Sequence, residues 1–579
     1  MLRLCGRSVV WGLEALFAAS AACYLVAGAA SAQDATQEVT ELPPVVVEGS
    51  TDLPKGQRKK AVNSTDTRLT DVDGAPPEGA KGPGKPTADY VSSPVPGGGG
   101  VTGASTSVIP REQIERSPQA TLVDIISREA GVQTSSFYGG VNGVGTTIDL
   151  RGFGVTGPSN TLILINGRRL NDWDLPGFDL STIAKESVER IEITRGNSGA
   201  VLYGDGAVGG VINIVTRSGA AVPNQARIEG GLGSFATRVE NITVSGSSGP
   251  FSAFVNGNNF ESDGYRDNNE LQERTAVGDF RWTFNRGSAY FNIAADDQHL
   301  GLPGPRNITT GLDELHDDRR GTNTPFDNSV QQGVRGTIGF TYMLDSNFEL
   351  IVDGGIRSKE QQASFFAPFQ QAFLDTDLAT KSLTPRVNIT KPFFGLPSRI
   401  FAGIDLFDTD YDSHRSLFEG LPPIHIYQGG QEMLASYVLQ TVSILPMTTI
   451  SAGGRYQWNK TTARDTYDPN APQNFANPQG LPLDESQTNQ AWHLGAEHEL
   501  VRGVTLFGRA AQSFRVPNID ERIGSSPVFA VTDFALRTQK SHDWETGVRL
   551  HYGEVEIQSS YAPHRRDTLR PDKLRQHQS

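Results

Sequence analysis

Gly204-Asp205-Gly206-Ala207-Val208-Gly209 has the GxGxxG spacing that, between a strand and a helix, sets backbone N–H groups against a dinucleotide pyrophosphate. The residues that follow, Val211-Ile212-Asn213-Ile214-Val215-Thr216, are β-branched and predict a strand instead. Without a helix N-terminus there is no phosphate site, so the glycines are read as tight turns and close backbone packing. His414 and His425, with Tyr411 and Tyr427, either cluster on one loop or are separately solvated. Phe365, Phe366, Phe369 and Phe373 occupy a loop-like stretch, where they either contact an apolar ligand or join an aromatic girdle at a membrane interface. There is no HExxH, no GxSxG, no Walker A sequence and no cysteine ligand set. No catalytic residue, metal site or cofactor is expected, and the chain does not read as an enzyme.

What must position such groups is set by composition. Of 579 residues only 37% are hydrophobic, and beyond the N-terminus no apolar run approaches the ~20 residues of a spanning helix. A transmembrane β-barrel escapes that test, because only alternate residues face lipid. The 63 glycines and 28 phenylalanines suit a barrel, and suit a large soluble β protein equally. A net charge of −14 argues against nucleic acid as a partner. Arg3 and Arg7, then the mostly apolar Ala15 to Ala30, then Ala30-Ser31-Ala32 form a secretory signal over residues 1–32. A short membrane anchor is the alternative; a lipoprotein signal at Cys23 lacks its usual leucine. Both cysteines, Cys5 and Cys23, would leave with the signal.

Residues 33–100 read as a disordered linker, too polar to offset the entropy of ordering. Within it Glu41-Leu42-Pro43-Pro44-Val45-Val46-Val47-Glu48 is extended and β-prone: either a chance valine run or a segment that adds a strand to another protein's sheet. Residues 101–220 read as a compact α+β domain. Ser117-Pro118 predicts a helix start, Leu122, Ile125 and Ile126 its buried face, and Gly131 its stop. Thr161 to Ile165 predicts a buried strand, Asn166-Gly167 a type I′ hairpin turn, and Arg190 to Arg195 a further strand ending at Gly196. From about residue 226 to 560 the pattern alternates every two residues. Ala276, Gly278, Phe280, Trp282 and Phe284 oppose Val277, Asp279, Arg281 and Thr283; Val334, Gly336, Ile338, Phe340 and Tyr342 oppose Arg335, Thr337 and Thr341; Thr546, Val548, Leu550 and Tyr552 oppose Glu545, Gly547, Arg549 and His551. Lipid outside and a wet lumen inside require this, although soluble sandwiches alternate too. Short turns such as Asn285-Arg286-Gly287 contrast with long polar segments near 298–332, 409–430 and 459–487.

Four segments carry a family resemblance: Asp149-Leu150-Arg151-Gly152-Phe153, Leu162 to Arg168, Val188 to Gly196, and Tyr203 to Arg217. In order and spacing they resemble the plug of TonB-dependent receptors. Asp263 to Arg266, Ser513 to Asn518 and Ser541 to Gly547 resemble segments of the family's barrel. The resemblance implies a mainly β fold, a transmembrane antiparallel barrel of about 22 strands with the α+β plug inside. It makes Glu41 to Glu48 a TonB box, pulled from the periplasm by TonB and its ExbB–ExbD energising complex. It implies active uptake across the outer membrane of a Gram-negative bacterium, most commonly of an iron–siderophore or other metal chelate. Cobalamin and saccharides remain open, and a passive porin is the reading from a different class. Haem is disfavoured, because no histidine lies between the Phe514 to Pro517 segment and His542. Phe137 and Tyr138 on the plug are candidate ligand contacts. Arg151 and Arg195 are expected to pair with barrel-wall carboxylates, Glu521 and Glu545 being the candidates.

Roughly 16 strand-like segments follow residue 225. Residues 561–579, from Ala562-Pro563-His564 to the final Arg575-Gln576-His577-Gln578-Ser579, lose the alternation and lack a terminal aromatic residue. On the family pattern this predicts a truncated or frame-shifted product with an incomplete barrel.

Overall fold

The computed structural model describes residues 100–566, except 118–120, 137–139, 175–178, 221–223, 310–311, 367–370, 474–477, 525–533 and 553–554. The predicted signal, linker and TonB box, and Phe137, Tyr138 and Phe369, lie outside the described residues.

The smaller domain is built on a five-stranded sheet. Its strands are β1 (Thr106–Pro110), β4 (Thr161–Ile165), β5 (Arg168–Arg169), β6 (Val188–Arg195) and β7 (Gly210–Thr216), in the order β1-β6-β7-β4-β5. A separate pair, β2 (Val132–Ser136) and β3 (Thr146–Leu150), lies beside it. All five residues of β4 are buried, because both faces of the sheet are covered. Ile163 and Ile165 join the core formed with Ile114, Leu122, Ile126 and Ile212. Leu162 and Leu164 pack the other way, against Phe514 and Val516 of the larger domain. Asn166 and Gly167 have φ of 50° and 76°, the pair of left-handed residues a type I′ turn needs. Asn166 also locks that turn to β7, donating to Thr216 Oγ1 at 2.8 Å.

The helix expected from Ser117-Pro118 begins later. Ser117 closes the preceding helix Arg111–Arg116, and the helix Leu122–Ile126 is capped by Thr121, whose hydroxyl accepts from the Asp124 N–H. Leu122, Ile125 and Ile126 form the buried face as expected, but the cap is Thr121 in place of Ser117, and the helix ends at Ile126, ahead of Gly131. Gly204 to Gly209 leads directly into β7, which confirms the turn reading over a nucleotide fold.

The larger domain is a meander of antiparallel strands, each paired with the next: β8 (Gln225–Leu232), β9 (Arg238–Ser248), β10 (Phe251–Ser262), β11 (Leu271–Phe284) and β12 (Gly287–Gly301). A small hairpin, β13 (Ile308–Thr309) with β14 (Leu312–Asp313), decorates the next loop. Then come β15 (Asn328–Asp345), β16 (Phe348–Phe365), β17 (Ala372–Thr390), β18 (Ser398–Ser416), β19 (His425–Leu445) and β20 (Thr448–Tyr467). β21 (Leu483–Val501), β22 (Val504–Arg515), β23 (Gln539–Tyr552), β24 (Val555–Tyr561) and β25 (His564–Arg566) follow, β24 and β25 both pairing with β23. The described residues thus give 16 strands in one sheet.

Alternation holds as expected. On β15 Ile338 is 68% exposed while Thr341 is 1% exposed, and Phe280, Trp282, Leu406, Leu434, Trp544 and Leu550 also point outward. An apolar outer face on a sheet whose inner face is polar is stable only in lipid. No helix among the described residues is long and apolar enough to cross a membrane. The inner face wraps the small domain, which hydrogen-bonds to β11 through Ser181, to β12 through Arg168, to β20 through Leu202, to β21 through Ser198 and to β23 through Arg151.

Strands β18 to β21 run further than the alternation indicated. Residues 409–416, 425–430, 459–467 and 483–487, expected as loop, are strand. Beyond Leu406 the outward residues of β18 are Asp408, Asp410, Asp412 and His414, while Thr409, Tyr411 and Ser413 stay inside. A strand projecting past the lipid has water on its outer face, so its two faces no longer differ in polarity and the sequence signal disappears.

Candidate functional site

Because every second wall residue faces the lumen, each strand carries polar groups to the small domain, and the two meet along a charged seam. Arg509 on β22 stands opposite Glu545 on β23. It grips Asp543 through two bonds of 2.7 and 2.8 Å and reaches Glu545 at 3.0 Å, with no side-chain exposure. Arg151 of the plug donates to the same Glu545 at 2.8 Å. Gly196 lets the plug backbone lie directly on this cluster: the Arg195 carbonyl accepts from Arg509 at 3.5 Å, and Asn197 bonds to Ser513 and Ser541.

Arg195 and Glu521 do not join that pairing. Arg195 turns back into its own domain, donating to the Ala130 carbonyl at 2.8 Å and lying 3.7 Å from Glu129. Glu521 holds Arg515 at 2.7 Å and closes a capping box with Asn518 on the helix Ile519–Ile523. Both pair within their own domain with residues nearer in the sequence, which closes a shorter loop than a contact across the seam.

At the end bearing the long connections, the plug presents Asp172-Trp173-Asp174. Arg357 on β16 bonds Asp172 at 2.7 Å, and Lys359 bonds Asp172 at 3.1 Å and also Asp174. Burial pushes the Asp174 carboxyl up to about 6, with Lys359 opposing the rise and Asp172 adding to it. The Trp173 carbonyl accepts from the Ile519 N–H at 2.9 Å, and its ring packs with Tyr411, Tyr427, Ile523 and Phe534. A cavity of about 120 Å³ lies beside this tip, between the plug and strands β15 to β19.

His425 and His414 do not cluster. His425 is buried, 3.0 Å from Asp465 and stacked on Tyr427 and Tyr467, whereas His414 faces outward beside Asp412. Phe366 stacks on Phe418 and meets Phe326 edge-on, so it belongs to a cluster among the long connections and not to the outer belt.

The opposite end, with the short turns, holds the start of the plug. The Gly103 N–H donates to Glu497 at 2.9 Å, Thr102 accepts from Ser451 at 3.1 Å, Arg549 donates to the Ala104 carbonyl at 3.3 Å, and Gln558 donates to Ser105. The first described residues therefore lie at the short-turn end.

Arg509, Asp543, Asp172, Asp174, Arg357 and Lys359 were not singled out from the sequence. Parity could have found the wall members, since Arg509 shares the inward register of Ser513, and Asp543 that of Glu545. Replacing Arg509 by Met is expected to destabilise the folded chain by roughly 3–5 kcal/mol, because Asp543 and Glu545 lose their shared guanidinium inside the wall. The heat-induced shift in gel mobility reads this directly; an unchanged transition would show that the cluster is not holding the seam.

A domain of the same chain held by polar contacts against the inner face of one antiparallel sheet, whose edge strands β8 and β24 are not paired with each other among the described residues, defines a plug within a membrane β-barrel. Residues 101–211 match the model of the TonB-dependent receptor plug domain, and residues 233–561 match that of the TonB-dependent receptor-like β-barrel. The chain belongs to the TonB-dependent receptor family. It is 31% identical over 217 residues to the vitamin B12 transporter BtuB of Photobacterium profundum, covering 34% of this chain and 34% of that protein. It is 40% identical over 126 residues to the ferrienterobactin receptor of Escherichia coli, covering 20% of this chain and 16% of that protein. The chain thus matches about a third or less of these relatives' lengths. Among solved structures, unliganded ferric citrate transporter FecA gives a TM-score of 0.68 at 17% identity, covering 80% of this chain and 70% of that one. The ferric yersiniabactin uptake receptor FyuA of Yersinia pestis gives 0.64 at 17%, covering 81% and 73%.

Proposed function

We propose that the chain is an energised receptor of the Gram-negative outer membrane. It takes a scarce ligand, an iron–siderophore or other metal chelate, at the long-loop end and admits it when the plug is rearranged from the periplasm. The observation that carries the reading is the hydrogen-bonded seam between plug and wall. A passive pore gains nothing from a plug held to β11, β12, β20, β21 and β23 by hydrogen bonds, whereas a gate needs a closed state that stands without ligand. Entry of the N-terminal segment at the short-turn end supports the orientation, since short turns lie on the periplasmic side of such barrels. The TonB box at Glu41 to Glu48 would then reach TonB, with ExbB–ExbD supplying the proton-motive force. Phe137 and Tyr138 stay candidates for ligand contact.

The ferrienterobactin receptor among the relatives supports iron chelates, and the match to a vitamin B12 transporter keeps cobalamin as the second reading. Expression in cells stripped of their own receptors tests both. Uptake of radiolabelled ferric siderophore, or of cobalamin, is expected to appear and to stop when a protonophore collapses the proton gradient. Uptake that continues with the gradient collapsed would mean a passive pore. No uptake of either ligand would remove the chelate reading.

A further inference from the structure

Arg335 on β15 and Arg357 on β16 are direct cross-strand partners, both facing inward. Like charges set opposite one another on neighbouring strands oppose pairing, so this arrangement calls for an anion. The plug adds a third guanidinium, Arg168, and all three line the cavity beside Asp172-Trp173-Asp174. Lys359 stands two residues along β16 on the same face.

Each cation has a counter-charge in the resting molecule. Asp353 lies 3.9 Å from Arg168, Asp172 pairs with Arg357 and Lys359, and the charge of Asp296 acts favourably on Arg335. The origin of these carboxylates matters. Asp172 and Asp174 come from the plug, while Arg335, Arg357 and Lys359 are fixed to the wall. Movement of the plug tip away from the wall strips this trio of two carboxylates, while Asp296 stays with the wall. Trp173, which lines the same cavity and is buried, has an indole N–H without a hydrogen-bond partner among the described residues. Asp174 Oδ1 likewise has none among the described residues.

We propose that this cavity is an oxyanion site, built for a carboxylate or phosphate group of a ligand, and that Asp172 and Asp174 occupy its edge as internal stand-ins. Guanidinium pairs suit this chemistry, because their planar forks meet carboxylate or phosphate through two parallel bonds. An incoming oxyanion competes with Asp172 for Arg357 and Lys359, so binding loosens the plug tip that those two residues hold. The inference deepens the transport reading by naming the ligand's charge, and rests on that reading for its role in uptake but not for binding itself.

The test is calorimetric titration of the purified full chain in detergent with succinate and with inorganic phosphate, ionic strength held constant with chloride. Saturable one-to-one binding of at least one probe is expected, and the preferred probe distinguishes carboxylate from phosphate. Arg335→Met is expected to weaken it about ten- to hundredfold, the loss of a charge-assisted bond. Asp172→Asn is expected to strengthen it by about tenfold, because a larger fraction of sites is then open. Absence of saturable binding to either probe, or equal affinity in wild type and Arg335→Met, overturns the proposal. Should Arg335→Met not fold, unchanged affinity in Asp172→Asn overturns it alone. Proton-gradient-dependent uptake without oxyanion binding would sink this inference and leave the receptor reading intact; binding without such uptake would do the reverse.

Discussion

Cells expressing the Val46→Pro variant are expected to lose energised uptake while retaining a normally folded barrel in the outer membrane. Strand addition rests on backbone N–H and C=O groups, and proline removes one donor while its ring obstructs the partner strand. Successive residues of an extended segment point their N–H groups to opposite sides. Either Val45 or Val46 therefore donates to an added neighbour, and Val45→Pro is the companion variant. At least one of the two should abolish uptake, whereas Val46→Thr, which keeps both the N–H and the β-branched shape, should retain most of it. Neither residue belongs to the described plug or wall, so heat-modifiable mobility on gels should match wild type. Wild-type uptake in both proline variants would leave the Glu41 to Glu48 segment without a role in energy transfer.

The second large effect is expected at Gly196. Its φ of 76° and ψ of −168° fall in a region that is essentially glycine's alone. A Cβ there would lie 2.0 Å from Arg509 Nη2 and 2.6 Å from Asp543 Oδ2. Gly196→Ala thus combines backbone strain of about 1–3 kcal/mol with displacement of a buried ion pair costing about 3–5 kcal/mol. The plug should lose its seat before the wall unfolds, seen as protease cleavage within the plug. Gly154→Ala provides the control: φ is also positive at 63°, but a Cβ there meets nothing within 4 Å. If the two variants behave alike, the clash with Arg509 and Asp543 is irrelevant and strain alone is being measured.

What could be read in advance follows from which forces have a fixed period. Lipid outside and a polar lumen inside impose a repeat of two, so β11, β15 and β23 were legible residue by residue. The run Thr161 to Ile165 was legible as a strand, but its lack of alternation is set by Phe514 and Val516, which cover its second face from far along the sequence. The Asn166-Gly167 turn was legible because its left-handed geometry selects those two residue types. The seam was only half legible. Arg151 does stand 2.8 Å from Glu545. Arg195 and Glu521 found Glu129 and Arg515 instead, since nothing in a linear pattern tells an inward charge which way the plug is rotated. The Asp172 and Asp174 clamp was missed for the same reason.

Among the plug strands, β1 borders the sheet and has one neighbour, β6. It also lies next to the point where the chain enters from the short-turn end. A mechanical load applied there would meet Thr102, Gly103, Ala104 and Ser105 one contact after another, then peel a single marginal strand. The inner staves β6, β7 and β4 would never bear the full tension together. On the proposed reading the gate would behave as a zip fastener: a short tug would free a few residues, the core would survive, and slack would let the teeth close again.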